Sequence, residues 1–323
     1  MKLTNAMKVG MLLPSAGEQA TRKNIIQAAK QAEEERFDSL WTWERLISPL
    51  KPQTPYPLTP DGSFPIEFQS LFEPLETLTF VAANTNKIAL GTSILDMLFH
   101  NPVVLAKRLA TLDILSEGRA IAGLGIGWLK DEYQISSIPM ESRGKRADEY
   151  IQLLKKLWTD DVVEFKGEFY DIPASKIGPK PLHKPHLPIY MGAFSPKAFG
   201  RAIKYADGWI GMIAGTLDDF EGAVNMIRDM AKEKEKESNR KDVNEFKVVL
   251  LTYPKVAEGS SSTHNKKGER PPMTGSVDEI GGDLRRIKDM GVEHIIFGYS
   301  FLPIGRNVNK MIDTTKQLSK FCS

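Results

Sequence analysis

Ile88-Ala89-Leu90-Gly91-Thr92-Ser93-Ile94-Leu95, Asn101-Pro102 after it, and Ala120 to Trp128 beyond decide the fold of this chain. The first eight residues read as an apolar strand that turns small and hydroxylated at its C-terminal end. Asn101 and Pro102 supply an N-cap side chain and a proline at the first helical position. Leu105, Leu109, Leu112 and Leu115 recur at helical spacing, and Gly118 ends the helix. A second apolar strand, Ala120 to Leu124, opens into Gly123-Leu124-Gly125-Ile126-Gly127-Trp128. Two parallel strands joined by a helix bring both strand ends to one sheet edge, where α/β folds hold ligands.

The same design recurs outward. Met7 to Leu13 reads as a strand and about Thr21 to Glu35 as a helix. Three joints then repeat a helix end, an acid and an apolar strand: Glu35 to Trp41, Tyr205 to Ile210, and Met290 to Phe297. Further strands are expected at Leu187 to Met191 and Phe246 to Tyr253. Strand candidates near residues 7, 38, 88, 120, 187, 209, 246 and 294 predict an α/β (β/α)₈ TIM barrel with insertions after strands. We read residues 1–323 as one such domain.

Three segments interrupt the alternation. Trp43 to Pro65 carries Pro49, Pro52, Pro55, Pro57, Pro60 and Pro65, too many for a regular element, and should lie over the catalytic face. Asp161 to Ile172 alternates around Lys166-Gly167 as a small hairpin would. Pro254 to Thr274 is polar, and its Ser260 to Thr263 core reads as a mobile loop.

The 323 residues are 41% hydrophobic and 26% charged, with a formal net charge of +2, ordinary for a soluble enzyme and poor for a nucleic-acid partner. Lys232 to Lys241 alternates in sign, as a solvated helix end does. No apolar run reaches a membrane span, no signal pattern opens the chain, and the single cysteine, Cys322, cannot form an internal disulfide. A cytoplasmic location is expected.

Gly123, Gly125 and Gly127 fall short of a dinucleotide fingerprint because Trp128 stands where the third glycine belongs. Backbone room beside a ring or substrate, or plain close packing, accounts for them. His183 and His186 are spaced by prolines that prevent a helical ligand pair, so no metal site is expected. No serine sits in a nucleophile elbow. Gly192-Ala193-Phe194-Ser195-Pro196 follows a strand and starts a helix, so its free N–H groups suit an anion, although ordinary capping explains the same residues. Trp41, Thr42, Trp43, Glu44 and Arg45 leave the second strand. Aromatics there could wall a planar ring and Glu44 could move a proton; a core Trp41 with a surface Glu44–Arg45 pair is the alternative.

Together these segments resemble the luciferase-like monooxygenase superfamily, and within it the branch that uses the deazaflavin coenzyme F420. The resemblance is densest over Leu90 to Ile94, Asn101 to Lys107, Ala110 to Arg119 and Gly123 to Trp128. Pro57 to Gly62, Ala206 to Trp209 and Gly275 to Ile280 extend it. It implies a barrel with the coenzyme at the C-terminal strand ends, its ring backed by Ser93 and Ile94. Gly125 and Trp128 would line the ring pocket, and Gly192, Ala193, Phe194 and Ser195 would hold the tail. It further implies a cis peptide between Ser93 and Ile94, and a homodimer packed through helices around Phe72 to Ala83 and Pro102 to Leu115. The family usually has an acid followed by histidine at the second strand end; here Glu44 is followed by Arg45. Arginine stays charged, so it could clamp a substrate anion but serves poorly as a base. The expected function is hydride transfer between F420 and a small organic substrate, with Glu44 and Trp43 as catalytic side chains. The proline-rich segment and Trp43 favour an apolar or aromatic substrate. The alternatives are a flavin mononucleotide (FMN) monooxygenase and a non-catalytic flavin-binding protein.

Overall fold

The computed structural model describes residues 6–59, 61–238, 246–257 and 270–323. Eight parallel strands close into a barrel. In chain order they are Lys8–Leu12, Ser39–Thr42, Ala89–Thr92, Ala120–Gly125, Ile189–Gly192, Gly208–Met212, Lys247–Thr252 and His294–Phe297. The first pairs with the eighth, and the third pairs with the fourth to close the ring. The structure is the (β/α)₈ TIM barrel expected from the alternation of elements. Parallel pairing sends every strand end, and so every post-strand loop, to one face.

The recurring acid has a common task. Asp38, just before the second strand, accepts the N–H of Val9 in the first at 2.8 Å. Asp207 does the same for Ile189 at 2.8 Å, and Glu293 for Val248 at 2.7 Å. Each carboxylate satisfies a donor at the start of the neighbouring strand, where the ladder has no carbonyl to offer. Helix starts follow the sequence too. Thr21, Asn101 and Ser195 accept backbone N–H groups from the first turns of Arg22–Glu34, Pro102–Leu115 and Pro196–Tyr205. Ser276 and Glu279 form a capping box before Val277–Asp289.

Two layers of core result. Leu12, Trp41, Ile210, Val249, Leu251 and Ile296 fill the barrel, while a larger cluster packs strands against the outer helices. Trp41 is fully buried. Among the described residues no helix is long and apolar enough to cross a membrane.

Several boundaries differ from the sequence reading. The third strand does not run unbroken from Ile88 to Leu95. It stops at Thr92, the Ser93–Ile94 peptide is cis as the resemblance implied, and pairing resumes at Leu95–Asp96. The hairpin is Val163–Lys166 with Asp171–Ser175, and its turn is not centred on Lys166-Gly167. Glu149 accepts the N–H groups of Glu168, Phe169 and Tyr170 at 2.9, 3.0 and 2.7 Å, which moves the turn toward the second strand. Pro60, Ser260 to Thr263 and the end of the Lys232 to Lys241 run lie outside the described residues. Either side of residues 258–269, Lys255–Val256 pairs with Thr274–Gly275 in a short parallel sheet.

Candidate active site

The third strand's break organises the barrel mouth. Where the backbone ladder fails, the Thr92 hydroxyl substitutes for it, donating to Gly123 O at 2.6 Å and accepting from Gly123 N at 3.0 Å. This draws the strands so close that a methyl on Gly123 would overlap the Thr92 carbonyl. A methyl on Gly125 would meet Ile94, and one on Gly192 would lie 2.8 Å from Ile94 Cδ1. Gly127 adopts φ +75. The glycine run is therefore explained by close packing at Gly123 and Gly125, with the Ile94 side chain occupying the space beside Gly125. The Ser93 hydroxyl is buried, with no hydrogen-bond partner among the described residues.

Beneath the mouth lies a buried charge network. Glu44 is not a surface group: it is 4% exposed, and neither of its oxygens pairs with Arg45. Its Oε2 accepts Asp96 N–H at 2.8 Å and its Oε1 lies 2.7 Å from His100 Nε2. Asp96 Oδ1 accepts Gly127 N–H at 2.9 Å, tying the third strand end to the fourth-strand loop. Burial, and next the Glu44 charge, push the Asp96 carboxyl up to about 7. Arg45 turns to Glu132, Nη1 to Oε2 at 2.5 Å, while Glu132 Oε1 accepts Leu46 N–H at 2.8 Å. Burial raises the Glu132 carboxyl above its ordinary range, against the pull of Arg45. The guanidinium expected to clamp an anion is thus already paired, and it lies between the rings of Phe68 and Trp128 at 5.3 and 5.1 Å.

Above the network the proline-rich segment folds across the mouth as expected. Tyr56 meets Phe68 and Trp128 at 5.2 and 5.9 Å, and Phe64 meets Trp128 at 6.0 Å. Trp43 packs against Phe68 at 5.3 Å and Phe301 at 5.7 Å. Trp43 is 8% exposed, and among the described residues its indole N–H has no partner. Across the mouth Ala193 is buried and its carbonyl accepts the Trp209 indole at 3.0 Å, whereas Phe194 is 65% exposed. Ser195 caps its helix by accepting Ala198 N–H at 3.4 Å.

The structure thus gathers Trp43, Glu44, Arg45, Ser93, Ile94, Gly125 and Trp128 at the ends of strands two to four. Gly192 lies beside them, since a methyl added there would meet Ile94, while Phe194 and Ser195 stand on the open rim. Sequence reading missed His100, Asp96 and Glu132. Position offered one signal: His100 and Asp96 lie between the hydroxylated strand end and the Asn101 cap, in a post-strand loop. His183 is held by Asp113, Nδ1 to Oδ1 at 2.8 Å, and anchors its loop. Among the described residues no cluster of three or more His, Cys, Asp or Glu could hold a metal.

Comparison with known proteins agrees with this fold. The family model described as luciferase-like monooxygenase matches residues 7–266. An uncharacterized protein of Mycobacterium tuberculosis is 36% identical over 205 residues, 63% of this chain and 72% of that protein. An F420-dependent glucose-6-phosphate dehydrogenase of Amycolatopsis mediterranei is 31% identical over 208 residues, 63% of this chain and 57% of its own length. Among solved structures, an F420-dependent secondary alcohol dehydrogenase in complex with an F420-acetone adduct superposes with a TM-score of 0.77. It is 18% identical and covers 98% of this chain and 99% of its own. The chain belongs to the luciferase-like monooxygenase family.

Proposed function

We propose that this luciferase-like protein is an F420-dependent oxidoreductase acting on a small organic substrate. The observation that carries the reading is the 31% identity to an F420-dependent dehydrogenase. The residues fit such a group. Ser93 offers a buried hydroxyl with no partner beside the half-buried Ile94, a polar edge and an apolar face for a flat ring. Gly125 and Trp128 complete that wall. Phe194 and Ser195 form an open rim in front of Gly192 and the buried Ala193, and the helix start there suits an anionic tail. When bound, the deazaflavin would supply the carbon that takes or gives a hydride; the chain orients, shields and handles the proton.

For the proton, Glu44 and His100 form the candidate pair. His100 retains 15% side-chain exposure, so it links buried Glu44 to solvent. Trp43, next in sequence to Glu44, walls the pocket. Arg45, held by Glu132, keeps the Phe68 and Trp128 rings in position.

Titration with F420 and with FMN, followed by consumption of the reduced coenzyme, tests the reading. Tight F420 binding with weak FMN binding supports it. Preference for FMN with oxygen uptake would instead favour the monooxygenase reading that the family's description invites. Binding without turnover of any substrate would favour a flavin carrier.

We also assign this chain a homodimer through Phe72 to Ala83 and Pro102 to Leu115. Phe72, Val104 and Leu115 are 39%, 53% and 57% exposed there, an apolar outer surface beyond what the barrel needs. Light scattering at micromolar concentration reads the outcome directly; a monomer would remove the assignment.

A further inference from the structure

A groove of about 790 Å³ opens beside the aromatic cluster, between the loops after the first and eighth strands and residues 66–70. Ile66, Phe301, Leu302 and Met311 give it an apolar wall, with Glu67 and Arg306 among its charged lining. Phe301 also belongs to the cluster at the barrel mouth: its ring lies 5.7 Å from Trp43, 5.8 Å from Phe68 and 5.2 Å from Tyr253. Phe301 is therefore shared by the wall of the open groove and the buried aromatic cluster. The volume suits a small organic ligand, for which pockets run about 300–1,000 Å³.

Trp43 is nine-tenths buried, and its N–H donor is unsatisfied among Phe68 and Phe301. Leaving such a donor unmade costs about 1–3 kcal/mol, which a ligand acceptor would restore. The cation of the aromatic cluster, Arg45, is committed to Glu132 and lies against the rings of Phe68 and Trp128. A phosphate or carboxylate entering here would lose its hydration and compete with a buried carboxylate for that guanidinium.

From this juxtaposition we infer that the substrate is an uncharged aromatic or flat apolar molecule, reaching the pocket through this groove past Phe301. Its single acceptor oxygen, carbonyl or hydroxyl, receives the Trp43 indole N–H. This deepens the coenzyme reading for the same site and sets the chain apart from a dehydrogenase of sugar phosphates. The inference concerns binding alone, so its test is separable from the coenzyme's.

The probe is 6-propionyl-2-(dimethylamino)naphthalene, a neutral aromatic ketone whose emission shifts on leaving water. It is titrated into the full chain with and without F420, and glucose 6-phosphate serves as competitor. The wild type should bind the ketone with a blue shift, and the sugar phosphate should leave it bound. Trp43→Phe should weaken binding about tenfold, the worth of one hydrogen bond. Gln69→Trp fills the groove from its exposed wall without touching Trp43, and should abolish ketone binding while F420 affinity holds. No ketone binding by the wild type, displacement by glucose 6-phosphate, or unchanged affinity in both variants would each overturn the inference. Failure of F420 to bind while these results hold would sink the coenzyme reading alone.

Discussion

His100 Nε2 lies 2.7 Å from Glu44 Oε1, joining the loops after the third and second strands inside the barrel mouth. A histidine therefore meets the acid at the second strand end, although Arg45 stands at the neighbouring position where the family usually has one. The second Glu44 oxygen is fixed by Asp96 N–H, so the carboxylate cannot turn away. Glu44→Gln keeps the shape and loses the charge. Turnover of reduced F420 should fall tenfold or more, about the low end of acid–base contributions, with coenzyme affinity nearly unchanged. His100→Asn should fall comparably, and the double variant no further, if the pair acts as a unit. Full activity in Glu44→Gln would return that residue to a purely structural role.

Asp96 makes stability depend on pH in an unusual direction for an acid. Its carboxyl is raised from 3.8 to about 7 by burial and then by Glu44. Between those values the unfolded chain releases a proton that the folded chain keeps. The contribution is therefore complete below about pH 4 and lost as pH rises through 7, by about 1 kcal/mol per pH unit. Denaturant unfolding of wild type and Asp96→Asn across pH 4 to 7 should show the wild type losing ground as pH rises. A difference independent of pH would mean that Asp96 is already ionised.

His294 works the other way. Trp41 Nε1 donates to Ser39 Oγ at 2.6 Å, and Ser39 Oγ lies 2.7 Å from His294 Nε2. Burial, then the charge of Lys8, lowers the imidazole from 6.5 to about 3. Between these values the unfolded state binds the extra proton, so stability is complete above about pH 6.5 and falls as pH drops toward 3. Relative to His294→Gln, the wild type should weaken by about 1 kcal/mol per pH unit below 6. Because Asp96 opposes this slope, the raw wild-type profile should look flat where both act, and only the comparison of variants reveals each. A His294→Gln profile parallel to wild type would refute the assignment.

Much of this arrangement was legible in the chain, for reasons that differ by element. The barrel strands announced themselves through apolar runs, and the joints through Asp38, Asp207 and Glu293, whose carboxylates act on the adjacent strand. The glycines at 123 and 125 were visible, but what filled the space beside them was not. Thr92 O and Ile94 reach it only because the third strand breaks. The pairings Glu44–His100 and Arg45–Glu132 join residues 56 and 87 positions apart, and local pattern carries no sign of such partners. The alternative reading, a surface Glu44–Arg45 pair, fails because the fold sends the two side chains to different partners.

Ser195 tests the rim. Its hydroxyl caps Ala198 N–H, and Pro196 follows at the first helical position. Ser195→Asp keeps a capping oxygen and adds a negative charge, so the helix should hold. F420 affinity should drop about tenfold through repulsion of the anionic tail, an effect that shrinks with added salt. Unchanged affinity would move the tail elsewhere on the mouth.

The strand-three break rests on Gly123 more than on any other glycine of its run. An alanine methyl there would meet the backbone carbonyl of Thr92, which is fixed by strand pairing and cannot rotate aside as a side chain would. The Thr92 hydroxyl would lose both of its bonds to residue 123 if the strands moved apart. Gly123→Ala should therefore cost about 3 kcal/mol or more, the upper range for overpacking, and should loosen the site beyond it. Gly222 supplies the control: it lies in the helix Leu217–Ser238 with open space where a methyl would go. Gly222→Ala should be neutral or stabilise by up to about 1 kcal/mol through helix propensity. Denaturant unfolding of both variants reads the contrast, and a Gly123→Ala protein as stable as the wild type would show that the strands can part without loss.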